Sequence, residues 1–361
     1  VNCPDTGNQR YRLVRLLPVL LIACAVVVDL ITPRVQRYDA LLYVVPTLAA
    51  VSWGVWPTLG FGVAAAMALV LCEAAWGDVL SRGVSGAVLV MIISGVAAWC
   101  SAVRQRREQQ LRQATVVADV AQRALQHPLP EHLGAVDLYL LYETSVAGAH
   151  LGGDFYKALR VPGGVRMMIG DVQGKGLGAV ESAAVLLGSF RESAYGEDDL
   201  PGVARKLEAS MRHHASRAGI VDADRFATVL LAEIPDDQPL MRLLSCGHPP
   251  PVRQGADGQA VYLTFRDPSP PVHLPVELDH DHVVEEVAFQ AGDRILMYTD
   301  GVSETRDRLG EFYPLAERLT AWSSAPDRDI TARLVADLTA YSDHGLDDDT
   351  AAVLVVRRPR T

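Results

Sequence analysis

The stretch Ile169-Gly-Asp-Val-Gln-Gly-Lys-Gly-Leu-Gly-Ala179 offers two readings of what this chain holds. Its glycines and Lys175 suggest a loop for phosphate; Asp171, directly after a run of apolar residues, suggests a metal ion. A Walker-type phosphate loop requires G-x-x-x-x-G-K followed by Ser or Thr. Here three residues separate Gly170 from Gly174, and Gly176 follows Lys175, so the pattern fails twice. What remains is an acid at the end of the strand VRMMIGD, a turn of small residues, and a helix. Gly174, Gly176 and Gly178 then serve the turn, and Lys175 is a solvated side chain.

The same arrangement recurs. RILMYTDG puts Asp300 at the end of an apolar strand before Gly301, LDDDTAAVLVV puts Asp347, Asp348 and Asp349 just before one, and LGGDFY puts Asp154 after paired glycines. A single Asp at a strand end is ordinarily a turn former. Four in this context point to a metal site, and carboxylates without His or Cys at ligand spacing favour hard cations, Mg²⁺ or Mn²⁺, over zinc.

Around these acids lie the strand-like segments LYLLYET, FATVLLAEI, MRLLSCG and TAAVLVV, with helical stretches at 179–194 and 200–214. Strands in series with grouped helices predict an α+β layer fold rather than a doubly wound sheet.

The first hundred residues differ in kind. Charges are scarce between Leu13 and Ala102, and apolar runs near 13–30, 40–56, 59–76 and 83–102 each approach the roughly 20 residues that span a bilayer. An all-α transmembrane region of about four helices is therefore expected over 1–102. Arg10, Arg12 and Arg15 lie at its start and Arg104, Arg106 and Arg107 at its end, which with an even number of spans predicts a multi-pass cell-membrane protein with both ends cytoplasmic. Asp29, Glu73 and Asp78 lie near the ends of the runs and read as interfacial groups. The segment 103–133 is a helical linker; Leu111, Ala114, Ala118, Ala121 and Leu125 form a short heptad seam, compatible with either a single amphipathic helix or a homodimer through 103–126.

A formal net charge of −10 gives no basic footprint for nucleic acid. Cys3, Cys24, Cys72, Cys100 and Cys246 form no CxxC pair, so neither a disulfide framework nor a zinc site is expected.

Taken in order, GGDFY, IGDVQGKGLGA, RFATVLLAEI, SCGHPPP, GDRILMYTDGVSE and DDDTAAVLVV resemble the PPM (PP2C-like) serine/threonine phosphatases of the SpoIIE and RsbU branch, over residues 134–357. The resemblance implies an α-β-β-α sandwich with a centre of two Mn²⁺ or Mg²⁺ ions. It makes Asp154 a metal-contacting acid, Asp171 the bridging acid, the Val172 carbonyl a further ligand and Asp300 another carboxylate. One of the terminal aspartates completes the set, taken as Asp348 with the register open by one residue. Asp171 and Asp300 are the acids on which catalysis depends. The implied reaction is direct hydrolysis of a phosphoserine or phosphothreonine in a protein, with a phosphorylated anti-sigma-factor antagonist or related partner-switching regulator as substrate. A catalytically silent membrane scaffold of the same fold is the alternative. Two positions depart from the family: Lys157 where an Asp is frequent, and Ser245 where Asn is common. His248 in CGHPPP reads as part of a rigid corner rather than as a general acid.

Overall fold

The computed structural model describes residues 6–31, 39–76, 83–125, 128–143, 152–217, 225–274, 280–342, 346 and 349–359. The chain divides into two compact units, Val1–Gln113 and Ala114–Thr361.

The first unit contains α1 (Thr6–Ile31), α2 (Val45–Ser52), α3 (Val55–Trp76) and the start of α4 (Val84–Leu125), a 42-residue helix within which the boundary between the units falls. Leu42, Val45, Ala65, Leu69 and Val90 form its apolar centre. Among the described residues, only Val55–Ala74 and Val84–Gln110 are long and apolar enough to cross a membrane. The expected four spans therefore reduce to two. The run at 40–56 fails on length: its apolar helical stretch is Ala40–Ser52, and the backbone is extended at Trp53 before α3 begins at Val55. An eight-residue helix rises only about 12 Å. Among the described side chains of α1, the apolar stretch is Leu16–Val28. Glu73 is buried, next to the end of the span Val55–Ala74.

The second unit supplies β1 (His132–Leu133), β2 (Val136–Glu143), β3 (Phe155–Val161), β4 (Gly164–Val172), α5 (Leu177–Gly196), α6 (Leu200–Arg217), β5 (Ala227–Pro235), β6 (Leu240–Cys246), β7 (Val252–Gln254) and β8 (Ala260–Tyr262). Then follow β9 (Glu285–Ala288), β10 (Arg294–Tyr298), α7 (Asp300–Ser303), α8 (Leu315–Ala321), α9 (Asp327–Tyr341) and β11 (Thr350–Arg357). Two sheets form, one in the order β1-β2-β11-β10-β7-β8 and one in the order β3-β4-β5-β6-β9. Every strand pairing within them is antiparallel. Helices α5 and α6 pack on the five-stranded sheet, and α8 and α9 on the six-stranded one. This is the α-β-β-α sandwich expected from the sequence.

Strand periodicity builds three apolar layers. On β4, Val165, Met167 and Ile169 face the other sheet, while Met168 and Val172 face α5 and α6. On β10, Ile295 and Met297 lie between the sheets, and Leu296 and Tyr298 lie under α8 and α9. Cys24, Cys72, Cys100 and Cys246 are free thiols.

Beneath α5 one charge is buried. The Arg166 guanidinium donates to Glu233 at 2.7 Å and to the carbonyls of Ala194, Glu197 and Asp198 at 3.0, 2.6 and 2.8 Å. It thus satisfies carbonyls at the C-terminal end of α5 that have no partner within the helix. Arg242 stays on Glu233 at 2.8 Å, so Arg166→Ala chiefly strands the α5 carbonyls and should lower unfolding free energy by about 1–3 kcal/mol, read as a shift of the urea midpoint.

Candidate metal centre

The alternation that makes the core also aims the acids. Asp171 continues the Val165, Met167, Ile169 series; Asp154 precedes Tyr156 and Ala158; Asp349 precedes Ala351, Val353 and Val355. Each therefore stands on the side facing the opposite sheet, one step beyond the last apolar residue of its strand. Thr299 does the same on β10, and Asp300 opens α7 directly after it. At this end of the sandwich the inter-sheet layer changes from hydrocarbon to carboxylate.

Asp154, Asp171 and Asp300 each present an oxygen, and these oxygens all lie within 4.8 Å of one another. Asp154 is buried and the other two are half-buried. Asp348 lies outside the described residues; Asp349, its neighbour, is buried and close enough to act on the charge of Asp154.

Burial and the charge on Asp171 hold the Asp154 carboxyl well above the usual carboxylate range, with Asp300 and Asp349 pushing the same way. One contact opposes them. The Thr299 hydroxyl donates to Asp154 Oδ2 at 2.7 Å and accepts from the Ala351 N–H at 3.0 Å. Thr299 is fully buried. Sequence reasoning passed it over, although it stands immediately before Asp300 in the motif.

The donor set suits a hard divalent cation: carboxylates converging from separate segments, with no softer ligand in the group. Backbone closeness fits as well. A side chain at Gly153 would meet the Val172 carbonyl and, at 2.5 Å, Asp171 Oδ1, so only glycine lets this segment approach the Asp171-Val172 corner. The turn beyond it has φ of +89° at Gly174 and +90° at Gly176, which glycine adopts readily. Gly178 lies inside α5, and Lys175 is exposed on the turn.

His248 is not an acid in waiting. It is buried, and burial pushes its pKa down to about 3. Nε2 faces the Tyr298 carbonyl at 3.0 Å and therefore carries the hydrogen, while Nδ1 accepts from the Thr228 hydroxyl at 3.0 Å. A neutral ring with both nitrogens engaged has no proton to deliver.

Residues 162–359 match the family Stage II sporulation protein E (SpoIIE). The chain belongs to the SpoIIE family. It is also 23% identical over 253 residues to phosphoserine phosphatase RsbU of Bacillus subtilis, covering 67% of this chain and 69% of that one. The solved RsbU and RsbW domains of a Mycobacterium tuberculosis protein superpose with a TM-score of 0.51 at 25% identity over 63% of this chain, which spans 62% of the mycobacterial chain. The PP2C domain of SiaA from Pseudomonas aeruginosa shares the fold with a TM-score of 0.55 at 18% identity, covering 72% of this chain and all of that one. The second unit is thus a PP2C-type phosphatase domain of the RsbU branch, a class of metal-dependent serine/threonine phosphatases that bind Mn²⁺ or Mg²⁺.

A raised Asp154 pKa means that the folded, metal-free chain holds this proton more tightly than the unfolded chain does. The stability it confers is present at low pH and lost as pH rises through the folded-state value. In EDTA-treated protein this group should lower the unfolding temperature as pH rises above the ordinary carboxylate range, and Mn²⁺ should restore it. Thr299→Val, which removes the contact that lowers the pKa, should move the loss to higher pH in scanning calorimetry.

Proposed function

We propose that this chain is a membrane-anchored, metal-dependent protein phosphatase acting on phosphoserine or phosphothreonine in a partner protein. The observation that carries the reading is the meeting of Asp154, Asp171 and Asp300, from well-separated stretches of sequence, within 4.8 Å of one another. Two Mn²⁺ or Mg²⁺ ions would be held by Asp154, Asp171, the Val172 carbonyl, Asp300 and one carboxylate of the 347–349 run, for which sequence reading takes Asp348 and of which Asp349 faces Asp154. Such ions supply an acidified water and neutralise charge on the phosphoryl oxygens.

The chain's own residues do the rest by position. Asp171 reaches the site from the five-stranded sheet and Asp300 from the end of β10, so the two acids on which turnover depends approach from opposite sides. Thr299 fixes the orientation of Asp154 through one hydrogen bond. Direct attack by water calls for no nucleophilic side chain, and the reading assigns none.

The RsbU-type relatives support a phosphorylated partner-switching protein as substrate, an anti-sigma-factor antagonist in particular. Two apolar helices support membrane anchoring. With two spans both ends lie on one side, and Arg10, Arg12 and Arg15 before them and Arg104, Arg106 and Arg107 at the end of the second favour the cytoplasm. The heptad seam of 103–126 supports a homodimer through that helix.

Asp171→Asn and Asp300→Asn should each lower kcat/KM toward a phosphoserine peptide and toward p-nitrophenyl phosphate by more than the about 10–100-fold typical of residues that only support ligands. EDTA should abolish turnover and Mn²⁺ or Mg²⁺ restore it. Activity that survives chelation, or both substitutions together, would remove the reading.

A further inference from the structure

The acids of the centre do not belong to one sheet. Asp154 and Asp171 come from the five-stranded sheet, whereas Asp300 follows β10 and Asp349 precedes β11 of the other. What lies between the sheets is chiefly hydrocarbon, and hydrophobic contact is non-directional. It holds two layers together without fixing how one is shifted along the other, yet ligands must be held to within about 0.5 Å of their working geometry. Some directional link close to the acids is required.

His248 is placed to provide one. Its Nδ1 accepts from the hydroxyl of Thr228, and Thr228 is the residue directly opposite Asp171 in the β4–β5 pairing. Its Nε2 donates to the carbonyl of Tyr298, in the peptide that leads into Thr299, whose hydroxyl holds Asp154. The ring thus joins the strand position beside one acid to the strand end that carries Asp300. Its own mounting is firm. The Ser245 hydroxyl accepts from the His248 N–H at 3.2 Å and donates to the His248 carbonyl at 3.1 Å, and the Tyr298 phenol donates to the Pro250 carbonyl at 2.8 Å. The Cys246-Gly-His-Pro-Pro corner is therefore tied to β10 at two points, the His248 ring and the Pro250 carbonyl, both through Tyr298.

We propose that His248, acting through Thr228 and Tyr298, is a positioning residue that sets the spacing of the two sheets at the metal centre, so that Asp171 and Asp300 can share ions. This rests on the metal-centre reading above. His248 and Thr228 touch neither ion nor substrate in this role; they act through the strands to which the acids are fixed. An imidazole suits the task because it is planar and rigid, and one face of its edge donates while the other accepts. No aliphatic residue of the same volume would tie the layers together, and a flexible amide would do so with greater freedom.

The link can be cut without touching the histidine. Thr228→Val keeps the β-branched shape and deletes only the hydroxyl, and Thr228→Ser keeps the hydroxyl. In the detergent-solubilised full chain, stripped of metal, Mn²⁺ binding is titrated by the electron paramagnetic resonance signal of the free ion, and unfolding temperature is recorded in parallel. Thr228→Val should weaken Mn²⁺ binding about tenfold, the lower end of what loss of a supporting contact costs, and Thr228→Ser should restore it to within about twofold. His248→Gln, combined with Thr228→Val, should add little to the loss from His248→Gln alone, since both cut one link. A folded Thr228→Val protein that binds Mn²⁺ as the parent does overturns the proposal, even if it unfolds at a lower temperature, because a merely structural contact would move only the latter. A Thr228→Ser protein as weak as Thr228→Val overturns it too, by assigning the loss to packing. If the parent chain itself binds no Mn²⁺, the metal-centre reading fails first and takes the brace with it.

Discussion

Carboxylates in mutual contact inside a protein repel one another, and that repulsion governs this domain. A pair of unit charges about 4 Å apart interacts by about 4 kcal/mol at the effective dielectric of a protein surface. Asp154, Asp171 and Asp300 form three such pairs, with Asp349 adding to the field on Asp154. No fold assembles such a group without a return. Either a proton is held more tightly, the direction in which the Asp154 pKa is shifted, or divalent cations balance the charge. The two sheets, the glycine corner at Gly153 and the Thr299 hydroxyl all serve to keep these groups together against their preference to separate.

The means are economical, because one periodicity serves core and site. Along β4 the inter-sheet face reads Val165, Met167, Ile169 and then Asp171; along β10 it reads Ile295, Met297 and then Thr299. The apolar residues set the strand's register, since a slip by one position would send the hydrocarbon to the wrong face. Register fixed in this way delivers the next residue of the series to the open end of the same layer. An acid there inherits its direction from the hydrophobic pattern behind it and needs no local device to aim it.

Much of this is legible without coordinates, and what is not has physical causes. The acids announce themselves by recurrence: one Asp at the end of an apolar strand reads as a turn former, four do not. The layer order follows from strands in series with grouped helices. Thr299 escaped notice because a threonine in a strand is unremarkable until its hydroxyl is seen to reach a residue 145 positions away. His248 was legible as a corner residue, but its hold on two sheets depends on strand pairings that a linear reading lacks. In the apolar half, hydropathy counts residues and overlooks continuity: within the run at 40–56 the helix ends at Ser52, where the backbone turns extended at Trp53, and what is left is too short to span. Asp348 illustrates another limit, since three consecutive aspartates leave a register that motif matching alone does not resolve.

Lys157 stands where the family frequently carries an acid, a departure that bears on the assignment. Strand parity answers the objection. On β3 the residues that face the other sheet are Tyr156 and Ala158, continuing the series begun by Asp154; Phe155 and Leu159 face α5 and α6. Lys157 falls with the latter, and it lies near Arg191 of α5. Burial first, and Arg191 second, lower its pKa, as expected for a cation wedged between sheet and helix rather than one directed into a nest of carboxylates. A lysine on that face takes no ligand from the inter-sheet pocket and puts no ammonium among the ions. The meeting of Asp154, Asp171 and Asp300 is left whole.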